Sequence, residues 1–86
     1  MKEDVVTAIT SALPGARVTL LDPREDGIHL EAIVVAEEFE GLSLLEQHRL
    51  VMRALSDQFE SALHALRLTT YSPGEWQSKH EEELHG

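Results

Sequence analysis

The spacing of apolar residues changes several times along this chain, and each change marks an element. Val5, Val6, Ile9, Ala12 and Leu13 recur at helical spacing, with Lys2, Glu3 and Thr10 elsewhere on the wheel. Pro14-Gly15 ends that helix, because proline cannot continue it and glycine suits the turn. From Ala16 to Leu21 the period falls to two, with Val18 and Leu20 opposite Arg17 and Thr19, which predicts a strand. Asp22 to Gly27 is a turn cluster whose Asp26-Gly27 step favours a tight hairpin reversal. A second strand runs from Ile28 to Ala36, with Ile28, Leu30, Ala32 and Val34 on one face and His29, Glu31, Ile33 and Val35 on the other. That second face turns apolar away from the hairpin, which predicts a central strand at that end.

Glu37 to Gly41 reads as a short helical turn or loop broken by glycine, with Phe39 packed inward. Ser43 and Glu46 then form a capping box. Behind it Leu44, His48, Val51, Leu55, Phe59 and Ala62 make one apolar stripe, while Arg49, Arg53 and Asp57 follow at four-residue steps on a more polar face. Ala65 to Tyr71 returns to period two. Ser72, Pro73 and Glu75 combine an N-cap, a first-turn proline and a second capping box, and Trp76 is expected to anchor the helix they open. The order is α-β-β-(turn)-α-β-α, or α-β-β-α-α-β-α with the turn counted as a helix. It predicts an α+β fold in which a three-stranded mixed sheet is covered by helices. The long connection before the third strand is suited to parallel pairing. Residues 1–78 form a single domain in this reading, and 79–86 form a polar, frayed tail.

Length and charge narrow the function classes. Eighty-six residues bury roughly 60–65% of their unfolded surface, enough for one small core and not for a deep cleft. The net charge of −9 is unfavourable for a phosphate backbone and favours a protein partner. The chain has no cysteine, so any metal must use His, Asp, Glu or backbone, or borrow ligands from a partner. Neither a signal-like N-terminus nor a membrane-length apolar run is seen, and a cytoplasmic protein without membrane partners is expected. No nucleophile–base set, phosphate loop or zinc-protease helix can be assembled, so an enzyme is not expected.

Several short segments, in this order and spacing, resemble the BolA family, whose fold is related to the KH-type nucleic-acid-binding domain. They are Leu13-Pro14-Gly15-Ala16, His29 ahead of an apolar strand, Phe39-Glu40-Gly41, His48-Arg49-Leu50-Val51, His64-Ala65-Leu66, Pro73 and Trp76. Gln47 stands where the family often has arginine, and the Asp22 to Gly27 loop lacks the cysteine or histidine of longer-looped members.

The resemblance implies partnership with a monothiol glutaredoxin around a shared, bridged [2Fe–2S] cluster, in cluster trafficking or in iron and redox regulation. Cluster-receiving apoproteins are further implied partners, and self-association to a homodimer is left open. In that arrangement the glutaredoxin and its glutathione bring thiolates, and this chain brings imidazole from His64. Mixed thiolate–imidazole ligation is workable and raises the reduction potential. His29, just past the hairpin loop, is the candidate second ligand, with Asp26 a poorer chemical fit.

Without the resemblance, most lone histidines are surface or hydrogen-bonded ones. His48, on the apolar stripe, reads as structural, and His80 and His85 as incidental tail residues. Arg49, Arg53 and Arg67 are candidates for contact with an acidic partner or with glutathione carboxylates, or else form a solvated face with Asp57. A second reading is a nucleic-acid-binding transcriptional regulator using Gly41, Arg49 and Arg53. It is opposed by the charge and by the lack of the second glycine that a KH-type backbone clamp needs.

Overall fold

A computed structural model describes residues 2–26, 29–56 and 65–85. The second strand, β2 (His29–Val35), organises it. β1 (Arg17–Leu21) pairs antiparallel on one side of β2, and β3 (Ala65–Tyr71) pairs parallel on the other, giving the order β1-β2-β3. The hairpin explains the first pairing. The second needs a long crossover, which includes helix α2 (Leu44–Ala54). Helices α1 (Lys2–Ala12) and α3 (Pro73–His85) complete an α+β architecture with three α-helices and three strands among the described residues. No helix among the described residues is long and apolar enough to cross a membrane.

The strand alternation fixes which sheet face is covered. Leu30, Ala32 and Val34 are buried, as are Val5 and Ile9 of α1 with Leu13 just after it, and Val51 of α2 with Leu55 at its C-cap. Leu66 and Leu68 of β3 pack against this cluster, as do Val18 and Leu20 of β1. Phe39, in a 3-10 turn over Glu37–Phe39, is 0% exposed, and such burial contributes about 2–3 kcal/mol. Gly41 closes that turn at φ +76°, where a side-chain-bearing residue would be strained by about 1 kcal/mol.

Two local expectations change. The buried line of α1 is Val5, Ile9 and Leu13, with Ala12 exposed. On α2 the buried line is Gln47, Val51 and Leu55, at exact four-residue steps. Leu44 is 61% exposed because it is the first residue of the helix, one turn short of that line, and His48 is half-buried at its margin. Phe59, Ala62 and Asp57 lie outside the described residues. In the hairpin, the turn bond runs from the Glu25 N–H to the Asp22 carbonyl at 3.0 Å. Glu25 carries a left-handed φ of +55°, and Gly27 of the Asp26-Gly27 step lies outside the described residues.

Both capping boxes form. The Ser43 hydroxyl accepts from the Glu46 N–H, and the Glu46 carboxylate accepts from the Ser43 N–H. At the start of α3, the Ser72 N–H donates to Glu75 Oε1 at 2.8 Å, and the Glu75 N–H donates to Ser72 Oγ at 3.2 Å. The Ser72 backbone bond, then its hydroxyl, hold the Glu75 carboxyl below its ordinary value, with the Gln47 amide assisting against partial desolvation.

That second box is tied into the core through Gln47, which is 2% exposed. Its Nε2 donates to the Leu42 carbonyl at 3.1 Å and to Glu75 Oε1 at 3.3 Å, and its Oε1 accepts from the Thr70 hydroxyl at 2.8 Å. Tyr71, one residue on, faces the other side of β3; there Trp76 lies against it at 5.3 Å between ring centroids, and Lys79 donates to its hydroxyl. The first turns of α3 therefore straddle the end of the sheet, while α1 and α2 cover one face.

Candidate functional site

The opposite end of the β2–β3 pair carries the histidine. His29 is the first residue of β2, and its alternation with buried Leu30 turns its side chain to the less covered face. The hairpin shapes its surroundings. Asp26 sits three residues earlier, at the exit of the turn, and its Oδ1 accepts from the His29 backbone N–H at 3.0 Å. Its Oδ2 lies 2.8 Å from His29 Nδ1. The Asp26 N–H donates in turn to Asp22 Oδ1 at 3.2 Å. The His29 side chain keeps 44% of its surface exposed and that of Asp26 33%, so the pair is open to a partner.

The parallel register brings β3 to this histidine: His29 is partnered by Ala65, the residue that directly follows His64 in the chain. His64 itself lies outside the described residues. A cavity of about 470 Å3 borders the same strand end, lined by Pro23, Arg24, His29, Leu30, Glu31, Leu66 and Arg67. Arg67 approaches Glu31 across the strands at 3.9 Å, but it is 83% exposed, so this pair contributes little. Among the described residues, no group of three or more His, Cys, Asp or Glu side chains is arranged to hold a metal ion.

The candidate arginines divide between two regions. Arg67 shares its sheet face with Glu31, opposite the face that α2 covers, and so stands apart from Arg49 and Arg53. Those two are exposed on the outer face of α2 beside a shallow cavity of about 290 Å3 with Leu42, Glu46 and Leu50. Leu45 and Met52, 59% and 41% exposed, lie along the neighbouring ridge of the same helix. Gly41 sits in the turn before α2, and its backbone amide is not part of a two-glycine clamp.

Two participants at the His29 end escaped the sequence reading. Arg24 borders the cavity, and Asp26 pairs with His29 rather than standing as an alternative ligand. Asp26 carried a usable signal, since an Asp three residues before a strand's first residue is well placed to accept its N–H. Nothing in the pattern marked Arg24.

The comparisons with known proteins agree with this architecture. The family model described as BolA-like protein matches residues 11–75. The DNA-binding transcriptional regulator BolA of Vibrio cholerae is 40% identical over 60 residues, covering 70% of this chain and 57% of its own length. A BolA-like protein 1 from Bos taurus is 44% identical over 48 residues, covering 56% of this chain and 36% of its own. The chain thus spans about a third to somewhat over half the length of these curated relatives. A solved bolA protein homologue from Coxiella burnetii superposes with a TM-score of 0.75 at 38% identity, over 90% of this chain and 96% of that one. With a family match over most of its length and the same fold in its neighbours, the chain belongs to the BolA family.

Proposed function

We propose that this BolA-like chain binds a monothiol glutaredoxin and shares a bridged [2Fe–2S] cluster with it, supplying imidazole ligands from His29 and His64. The observation that carries the reading is the strand register, which pairs His29 with the residue directly after His64. Imidazoles from His29 and from His64, the residue before β3 in the chain, would make half of a coordination shell. A chain without cysteine needs the other half, the thiolates, from elsewhere. The donor chemistry fits such a shared site: a half-exposed imidazole, with its Nδ1 engaged by a carboxylate, stands at the rim of an open cavity. Arg24 and Arg67 on that rim suit the carboxylates of a bound glutathione. When bound, the cluster would supply one-electron chemistry at a potential raised by its imidazole ligands. The protein's own part is to present the two rings and to accept the partner's anionic groups.

Anaerobic reconstitution with a monothiol glutaredoxin, iron, sulfide and glutathione tests this, read by visible absorption and circular dichroism during size-exclusion chromatography. A one-to-one complex with a spectrum distinct from that of the glutaredoxin homodimer is expected. His64→Ala and His29→Ala should each alter that spectrum or shorten its lifetime. Unchanged spectra and cluster retention in a variant would remove that histidine from the ligand set.

Nucleic-acid binding is the second reading, favoured by the Vibrio relative's name and by Arg49 and Arg53 exposed together on α2. Two phosphate contacts would give a salt slope near −2, at about −0.9 per contact. Absence of duplex binding at low salt removes this reading.

A further inference from the structure

We infer that Asp26 is a positioning residue for His29: it holds the ring proton on Nδ1 and thereby makes Nε2 the nitrogen that His29 presents to a ligand. The inference deepens the proposed function, and its metal-facing meaning rests on that reading, but the orientation itself is a property of the free chain.

The argument follows from donor and acceptor inventories. An ionised carboxylate can only accept hydrogen bonds, so the 2.8 Å contact between Asp26 Oδ2 and His29 Nδ1 requires a proton on Nδ1. A neutral imidazole has one ring proton, so its lone pair then lies on Nε2. An unconstrained neutral histidine prefers the opposite arrangement, with the proton on Nε2, so the contact reverses the intrinsic bias. The carboxylate is well placed to do this because it is fixed from two further directions. Its other oxygen accepts from the His29 backbone N–H at 3.0 Å, and the Asp26 backbone N–H is held by Asp22 Oδ1 at 3.2 Å. Backbone and ring of the same histidine are thus gripped by one side chain anchored in the hairpin turn.

The consequence for ligation is direct. A carboxylate on the distal nitrogen fixes ring heading and raises the basicity of the ligating one, and losing such a partner typically weakens metal affinity about 10–100-fold. The hairpin loop thus brings the residue that aims the ring. It also explains why Asp26 is unsuited to replace His29 as ligand, since both of its carboxylate oxygens are engaged.

Long-range 15N–1H correlation spectra of the imidazoles test this on the free chain, at a pH where the rings are neutral. The wild-type His29 should show a protonated Nδ1 and a lone-pair Nε2. Asp26→Ala should shift the population toward the Nε2–H form, while Asp26→Asn, which keeps an acceptor oxygen, should retain the wild-type pattern. A wild-type His29 already in the Nε2–H form overturns the inference without any variant, as does an unchanged tautomer in a folded Asp26→Ala. In the glutaredoxin complex, Asp26→Ala should shorten cluster lifetime about 10-fold. If instead the tautomer flips while His29→Ala leaves the cluster spectrum unchanged, the orienting role is upheld and the ligand assignment alone falls.

Discussion

At the Val35–Tyr71 end of the β2–β3 pair, Gln47 is 2% exposed, and both ends of its amide are engaged by Leu42, Thr70 and Glu75. At the His29–Ala65 end, the His29 side chain is 44% exposed and its carboxylate contact falls on one ring nitrogen. Both residues are polar, both lie beside an end of the β2–β3 pair, and each is bonded to a neighbouring carboxylate. The difference lies in what remains after the local bonds are made. The Gln47 amide is used up inside the protein, which joins α2, β3 and α3 into one unit. His29 keeps a lone pair pointing beyond it. A polar side chain whose bonding capacity closes within the fold serves the fold, and one that is oriented but incomplete is placed for a partner.

The contrast is broken most severely at Gln47. Gln47→Ala leaves a cavity and deprives the Thr70 hydroxyl and the Leu42 carbonyl of their buried partner. A loss of about 2–3 kcal/mol is expected in urea unfolding. If the two ends act separately, the variant should still show the wild-type His29 tautomer. A loss under about 0.5 kcal/mol would mean that water replaces the amide, and that the clamp is wet rather than closed.

Much of this layout was legible, and the exceptions have physical causes. The alternation of β2 gave its buried face because a two-residue period admits one assignment once Leu30, Ala32 and Val34 are seen together. The capping boxes at Ser43–Glu46 and Ser72–Glu75 were legible because both partners lie within one turn. The α2 stripe was mis-phased because Leu44, apolar but terminal, outweighed Gln47, which is polar and buried. Hydrophobicity alone cannot reveal a buried amide whose partners arrive from Thr70 and Glu75, more than twenty residues away. The Asp26–His29 pair was missed for a different reason. In the sequence each is a separate ligand candidate, and only the closing of the turn makes one the holder of the other.

Glu75 gives a smaller and pH-dependent test of the closed end. Its folded carboxyl lies below the ordinary value of 4.5, so the ionised form is favoured by folding. The resulting stability is fully present above that value and is lost as pH falls through the depressed folded value. The gap between wild type and Glu75→Gln, no more than about 1 kcal/mol for an exposed capping group, should be steady from about pH 7 to pH 5 and close in more acidic solution. Urea unfolding across that range measures it. A gap that widens with acid would reverse the sign and show that the Ser72 bonds do not hold the charged form.

The smallest expected effect on stability lies at the open end, and there its smallness is the point. His29→Ala removes a half-exposed ring and one contact to a carboxylate already bonded to the backbone, so thermal or urea unfolding should change by about 0.5 kcal/mol or less. The same substitution should change the spectrum of the glutaredoxin complex, whereas Gln47→Ala should alter stability and leave that spectrum alone. The two variants thus separate fold from site in opposite directions. If His29→Ala instead costs 2 kcal/mol or more, as a closed buried network would, then the Asp26 contact is part of the hairpin's own support. The histidine end would then resemble the glutamine end, and the case for a ligand role would rest on His64 alone.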